Sequence, residues 1–212
     1  MAQSSPINLA VLVSGSGTTL QNLLDEVAAG RLNARVKIVI GSKPDLLGVK
    51  RGSDAGIPTA VVSRKDFADP ATFAGEVWRQ IDAANVDLVI FAGWLCLLPV
   101  PAKYAGRVMN IHPALLPGFG GRGMFGQRVH QAVIDHGCKV TGCTVHFVDD
   151  HYDNGPIILQ RTCNVHDDDT ASSLAARVFE QEKVAYPEAI RLFAEGRLKI
   201  DGRRVRTISE EK

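Results

Sequence analysis

Within Arg107 to Pro117, RVMNIHPALLP, an amide and an imidazole stand two residues apart in an otherwise apolar run. Side chains of a β-strand alternate with period two, so Asn110 and His112 face one way and Met109 and Ile111 the other. An amide and a histidine sharing one wall can stabilise a developing oxyanion and hold a proton. A third candidate, Asp153, lies in HYDNGP, His151 to Pro156, where Asp-Asn-Gly is also ordinary turn chemistry. Brought beside His112, its carboxylate would favour the charged imidazolium. Taken singly, His112 reads equally well as a satisfied buried histidine and Asp153 better as a turn residue; chemistry is suggested by the set.

A second site is marked by SGSGTTLQN, Ser14 to Asn22, directly after an apolar run and opening a helical one. Its glycines permit a tight turn, and the free N–H groups and positive end of the following helix suit an anion. The position three after Gly17 is Leu20, and Gly41, Ser42 and Lys43 follow the second apolar run. The glycine and acidic residue of a dinucleotide fingerprint are therefore missing, so a phosphate cradle is expected and an NAD site is not.

These groups need a scaffold, and its signal is clear. Runs rich in Val and Ile recur at Ile7 to Val13, Val36 to Ile40, Thr59 to Val62, Asp87 to Ala92, Val108 to His112 and Thr144 to Val148. Helical periodicity falls between them, as in Leu20, Leu23, Leu24 and Val27, or Phe73, Val77 and Ile81. That alternation predicts an α/β fold, doubly wound, with a mostly parallel sheet flanked by helices. Both candidate sites then lie where ligands bind in such sheets, beyond the carboxyl ends of strands. Farther on, Ile157 to Val165 reads as a strand, Asp167 to Ala171 as an acidic helix start, and Leu174 to Phe193 as a long helix interrupted near Pro187. Leu198 to Ile208 carries an Asp-Gly hairpin signal. Without a repeat or linker, residues 1–212 are expected to form one domain.

Composition narrows the function classes. In 212 residues, 24 Lys and Arg stand against 23 Asp and Glu, so bulk charge recruits neither nucleic acid nor an anionic membrane. No apolar run approaches the roughly 20 residues of a membrane-spanning helix, and MAQSSP lacks the features of a secretory signal, so a cytoplasmic location is expected. Cys96, Cys138, Cys143 and Cys163 include no C-x-x-C pair and are expected to be reduced. His130, His136, His151 and His166 form no metal-ligand spacing, so no metal is expected. His146, in TVHFV, suits a core or supporting role as well as a direct one, and Arg64 and Lys65 read as solvated charges.

With NIHPALLP (Asn110 to Pro117) and DNGP (Asp153 to Pro156) placed, the sequence resembles the folate-dependent formyltransferases from about Ile7 to Leu198. SGSG at Ser14 to Gly17, FAGW at Phe91 to Trp94, GCTVHFVDD at Gly142 to Asp150, Gln181-Glu182 and Tyr186-Pro187 complete an ordered set. The resemblance implies transfer of the formyl group of 10-formyltetrahydrofolate, a co-substrate, to the amine of 5'-phosphoribosylglycinamide in purine biosynthesis. It implies catalysis by Asn110, His112 and Asp153, with Asn110 also on the folate. Substrate phosphate would bind at Gly17, Thr18 and Thr19, with the Glu182 carboxylate also on the substrate. The pterin would lie against Leu95, Cys96, Leu97 and Leu98. Departures are Gly17-Thr18-Thr19 for a usual Gly-Ser-Asn, Leu95-Cys96-Leu97-Leu98 for Met-Arg-Ile-Leu, and Pro70 where many relatives carry arginine. The glycine-rich Gly118 to Gln127 has the composition of a mobile flap.

Two relatives share the pattern. A formyltetrahydrofolate deformylase hands the group to water and normally carries a preceding regulatory domain; methionyl-tRNA formyltransferase adds an RNA-binding domain after the core. Length is expected to exclude both. A non-catalytic nucleotide-binding module needs none of Asn110, His112 and Asp153. The expected partners are small molecules, not nucleic acid or membrane, and oligomeric state leaves no mark on the sequence.

Overall fold

Apart from Asn8, every residue of INLAVLV is buried, the mark of a strand covered on both faces. In the computed structural model, which describes residues 5–209, this run is β1 (Ile7–Val13). It is followed by α1 (Thr18–Ala28), β2 (Ala34–Gly41), α2 (Leu47–Asp54), β3 (Thr59–Val61), α3 (Pro70–Ala84), β4 (Leu88–Phe91) and β5 (Val108–His112). The chain divides into two compact units between Met109 and Asn110, inside β5. In the first unit the strand order is β3-β2-β1-β4, all parallel. The chain builds outward from β1 through β2 to β3, then returns to pair β4 on the other side of β1. That reversal opens a crevice between the loops after β1 and β4.

Local chemistry sets α3. Asp69 caps it by accepting the Thr72 N–H at 2.8 Å, Pro70 occupies the first turn where its missing N–H costs nothing, and Phe73, Val77 and Ile81 are buried at the expected spacing.

The second unit continues from β5 through α4 (Gln127–Asp135), β6 (Val140–Phe147), β7 (Ile157–Asn164), α5 (Ala171–Ala194), β8 (Leu198–Asp201) and β9 (Arg204–Thr207). Its order is β5-β6-β7-β9-β8, with β6 and β7 antiparallel and the expected hairpin formed by β8 and β9. The expected class holds: a mixed, mostly parallel sheet flanked by helices.

Strand ends shift by a residue or two elsewhere, and three larger departures from the sequence reading have identifiable causes. β6 starts four residues early, at Val140, because Gly142 lets β7 approach so closely that a Cβ there would meet the Arg161 carbonyl. The acidic run 167–169 precedes the helix; Thr170 caps it reciprocally with Ser173. Asp169 instead pairs with Arg177, whose guanidinium holds its carboxyl well below the usual carboxylate range. Finally, α5 runs unbroken through Pro187. An internal proline costs about 3 kcal/mol, and burial of Ala185, Tyr186, Pro187, Ala189 and Ile190 around it opposes that cost.

The four cysteines are free thiols. Among the described residues no helix is long and apolar enough to cross a membrane.

Candidate active site

Asn110 and His112 stand on β5, and the strand alternates as its sequence demands: Met109 is fully buried on one face while Asn110 keeps partial solvent contact on the other. Asp153 reaches both from the loop between β6 and β7. Its Oδ2 lies 3.4 Å from His112 Nδ1, and its Oδ1 accepts a weak 3.4 Å bond from Asn110 Nδ2. The three residues expected to act together are thus brought together, all within the second unit.

The loop is built to deliver that carboxylate. Asp149 pins it, accepting from the His151 N–H at 2.9 Å and from Asn154 Nδ2 at 2.7 Å. Gly155 passes so near Phe147 that a Cβ would collide with the Phe147 carbonyl. Asp153 itself sits at φ 52, a left-handed conformation that Asp tolerates better than most residues.

His112 is buried, with 3% exposure, so its ring must be satisfied from within. Nε2 lies 2.8 Å from the Phe119 carbonyl, which only accepts, so Nε2 carries a hydrogen. With Nδ1 on Asp153, both ring nitrogens face oxygen, an arrangement that a doubly donating imidazolium satisfies. The same segment reaches Asp153 as well: the Gly121 N–H donates to Oδ2 at 2.8 Å. These main-chain contacts come from the glycine-rich stretch, and no residue type announces them.

His146 is also part of the cluster. Its Nδ1 lies 2.8 Å from the Phe147 carbonyl and therefore bears the hydrogen, leaving Nε2 to accept from Asn110 Nδ2 at 3.1 Å. Nε2 is 3.8 Å from Asp153 Oδ1. Burial pushes the His146 pKa down and favours this neutral form. The supporting role is the one its geometry selects: it fixes which way the Asn110 amide points.

Glu182, on α5, keeps partial solvent contact as a residue, yet burial of its carboxyl pushes the pKa up to about 7. The buried Cys143 thiol is pushed up to about 12, by burial first and then by Glu182; it stays protonated and inert.

In the first unit Gly17 caps α1 at φ 71, and a Cβ there would collide with the Gly48 backbone. The first-turn N–H groups at Thr18 and Thr19 meet no capping side chain, which is what an anion cradle requires. Arg51 braces it, donating from Nε to the Ser16 carbonyl at 2.9 Å and from Nη1 to Gln21 at 3.0 Å. No motif singled it out. After β4, Leu95 and Leu97 are each 43% exposed while Leu98 is buried, so the segment presents apolar side chains to solvent.

Comparison with known proteins identifies the family of the chain. The family described as formyl transferase matches residues 7–190. A phosphoribosylglycinamide formyltransferase of Escherichia coli is 36% identical over 197 residues, covering 92% of this chain and 90% of that protein. The trifunctional purine biosynthetic protein adenosine-3 of Drosophila melanogaster is 40% identical over 192 residues, 89% of this chain but only 14% of that longer protein. The crystal structure of glycinamide ribonucleotide transformylase 1 from Symbiobacterium toebii superposes with a TM-score of 0.90 at 42% identity, covering 98% of this chain and 96% of that one.

Proposed function

Because the chain belongs to the formyl transferase family, we propose that it transfers the formyl group of 10-formyltetrahydrofolate to the amine of 5'-phosphoribosylglycinamide in purine biosynthesis. The observation that carries the reading is the Asp153 carboxylate placed 3.4 Å from both His112 Nδ1 and Asn110 Nδ2. A nucleotide-binding module has no use for such a cluster. One family match spanning both units also favours a single catalytic domain.

In the proposed reaction the amine nitrogen attacks the formyl carbon, and the carbonyl electrons move onto oxygen. Asn110 Nδ2 and His112 Nε2 donate to that oxyanion; the incoming oxygen replaces the Phe119 carbonyl as acceptor for Nε2. Asp153 orients His112 through Nδ1 and, through water, accepts a proton from the attacking amine. The intermediate collapses as the bond to the folate nitrogen breaks, and that nitrogen takes the proton. The product is formylated amine with free tetrahydrofolate. Gly17, Thr18 and Thr19 hold the substrate phosphate, Glu182 binds elsewhere on the substrate, and Leu95, Cys96, Leu97 and Leu98 flank the pterin.

The test incubates the protein with 10-formyltetrahydrofolate, with and without the amine substrate, and follows tetrahydrofolate and formylated amine together. Amine-dependent transfer is expected. Release of free formate without the amine would identify a deformylase, and no release in either case would overturn catalysis on formyl folate.

A further inference from the structure

The hairpin of β8 and β9 takes no part in the reaction described above, yet it touches the loop that delivers Asp153. β9 pairs with β7 in parallel, with Arg204 opposite Ile157. Because the two strands run the same way, the residue just before β9 lies beside the residues just before β7. There Arg203 Nη2 donates to the Asn154 carbonyl at 2.7 Å, one residue beyond Asp153. A guanidinium donor makes this bond stronger than one between neutral groups. Asp149 holds the Asn154 side chain at 2.7 Å, so the residue after Asp153 is fixed through both its side chain and its main chain. The hairpin is anchored on its own account. Gly202 turns it at φ 58, and Arg206 pairs with Asp201 within it. At its base the Ile208 N–H donates to the Arg197 carbonyl at 2.8 Å, and Arg197 Nε donates to the Ile208 carbonyl at 3.1 Å. Asp153 needs such bracing. Its left-handed φ of 52 persists only where the surroundings impose it, and Asn154 beside it is exposed.

We propose that Arg203 is a positioning residue for Asp153, and that the hairpin is a clamp keeping this carboxylate at His112, Asn110 and the Gly121 N–H. The inference rests on the formyltransferase reading and goes beyond it, since the proposed reaction assigns no role to any residue after Glu182. Arg203 acts through the Asn154 carbonyl. With the bond in place the turn that carries Asp153 has one path. Without it the Asn154 carbonyl rotates toward water, Asp153 relaxes from its left-handed conformation, and the carboxylate leaves its three partners. Stability is little affected, because an exposed charged contact contributes little to it. Rate is affected more, because a displacement of about 1 Å at a catalytic group costs up to about 100-fold.

The experiment compares Arg203→Ala and Arg203→Lys with the unaltered full chain by steady-state kinetics and by the amide resonance of Gly121, whose N–H donates to Asp153 Oδ2. Arg203→Ala is expected to lower kcat about tenfold and to move the Gly121 resonance toward its position in Asp153→Asn, with the thermal midpoint unchanged. Arg203→Lys keeps a charged donor and should recover most of both. Arg206→Gln removes a pair within the same hairpin and should alter neither, which separates damage to the hairpin from loss of the bond to Asn154. Should Arg203→Ala fold poorly, Arg203→Met takes its place, keeping an aliphatic stem but no donor. A Gly121 resonance unmoved in the donor-free variant overturns the proposal, as does a wild-type kcat or an equal fall in Arg206→Gln. The resonance needs no turnover. Absence of formyl transfer by the unaltered protein would therefore remove the catalytic reading while the Gly121 shift still tested the clamp, whereas transfer with an unmoved resonance in Arg203→Ala would remove the clamp alone.

Discussion

Asp153 carries more of the proposed mechanism than any other single side chain, because it faces His112, Asn110 and the Gly121 N–H at once. Asp153→Asn keeps the volume and removes the carboxylate charge beside His112 Nδ1. Turnover should fall roughly 100 to 1000-fold, as for loss of one positioned electrostatic group, with an unaltered thermal midpoint; His112→Ala should do the same. Wild-type rates in either would remove that residue from the chemistry. His146 acts one step back, through the amide it orients. His146→Phe keeps a ring in the strand but removes the acceptor, and a lost hydrogen bond of about 1 kcal/mol predicts roughly a fivefold fall in kcat with little change in KM. A rise in KM alone would place His146 in binding instead.

Among elements, the glycine-rich segment after β5 serves the Asn110, His112 and Asp153 cluster through its backbone. Phe119 at φ 54 and Gly121 at φ 97 turn a carbonyl toward His112 and an N–H toward Asp153. Between them a Cβ on Gly120 would stand 2.5 Å from Leu116 Cδ2 and 3.2 Å from Asp153 Cβ, so a side chain there must displace both. Gly120→Ala should therefore shift the segment, lower kcat roughly tenfold through misplacement of the pair, and abolish the protected His112 Nε2–H resonance in proton NMR. Retention of both rate and resonance would show that the segment does not hold the histidine. α5 teaches a different lesson, since its proline marked a break by local rules and packing around residues 185–190 overrode them.

For the whole molecule the measurable consequence of the site is pH-dependent stability. The Glu182 carboxyl binds its proton more tightly folded than unfolded, with a pKa raised from 4.5 to about 7 by burial. Between those values the folded state holds the extra proton, so its contribution is complete below the ordinary carboxylate range and is lost as pH rises through about 7. Glu182→Gln, which never ionises, should melt higher than the unaltered protein at about pH 8 and by a smaller margin at about pH 5. An equal margin at both would show that Glu182 does not titrate in this range. By itself the sequence determined what depends on near neighbours: the alternation that puts Asn110 and His112 on one face of β5, the apolar runs that dictate a covered parallel sheet, and the Gly17 turn ahead of α1. Tertiary structure alone decided what depends on distant partners. Asp153 reads as an ordinary turn residue until the loop between β6 and β7 folds back on β5. His146 had two equal roles until Asn110 was found beside it, and Arg64 and Lys65 read as solvated charges until the loops around β1 closed a cavity about them. The Phe119 carbonyl and Gly121 N–H could not be read at all, because every residue has those atoms and only the path of the backbone aims them.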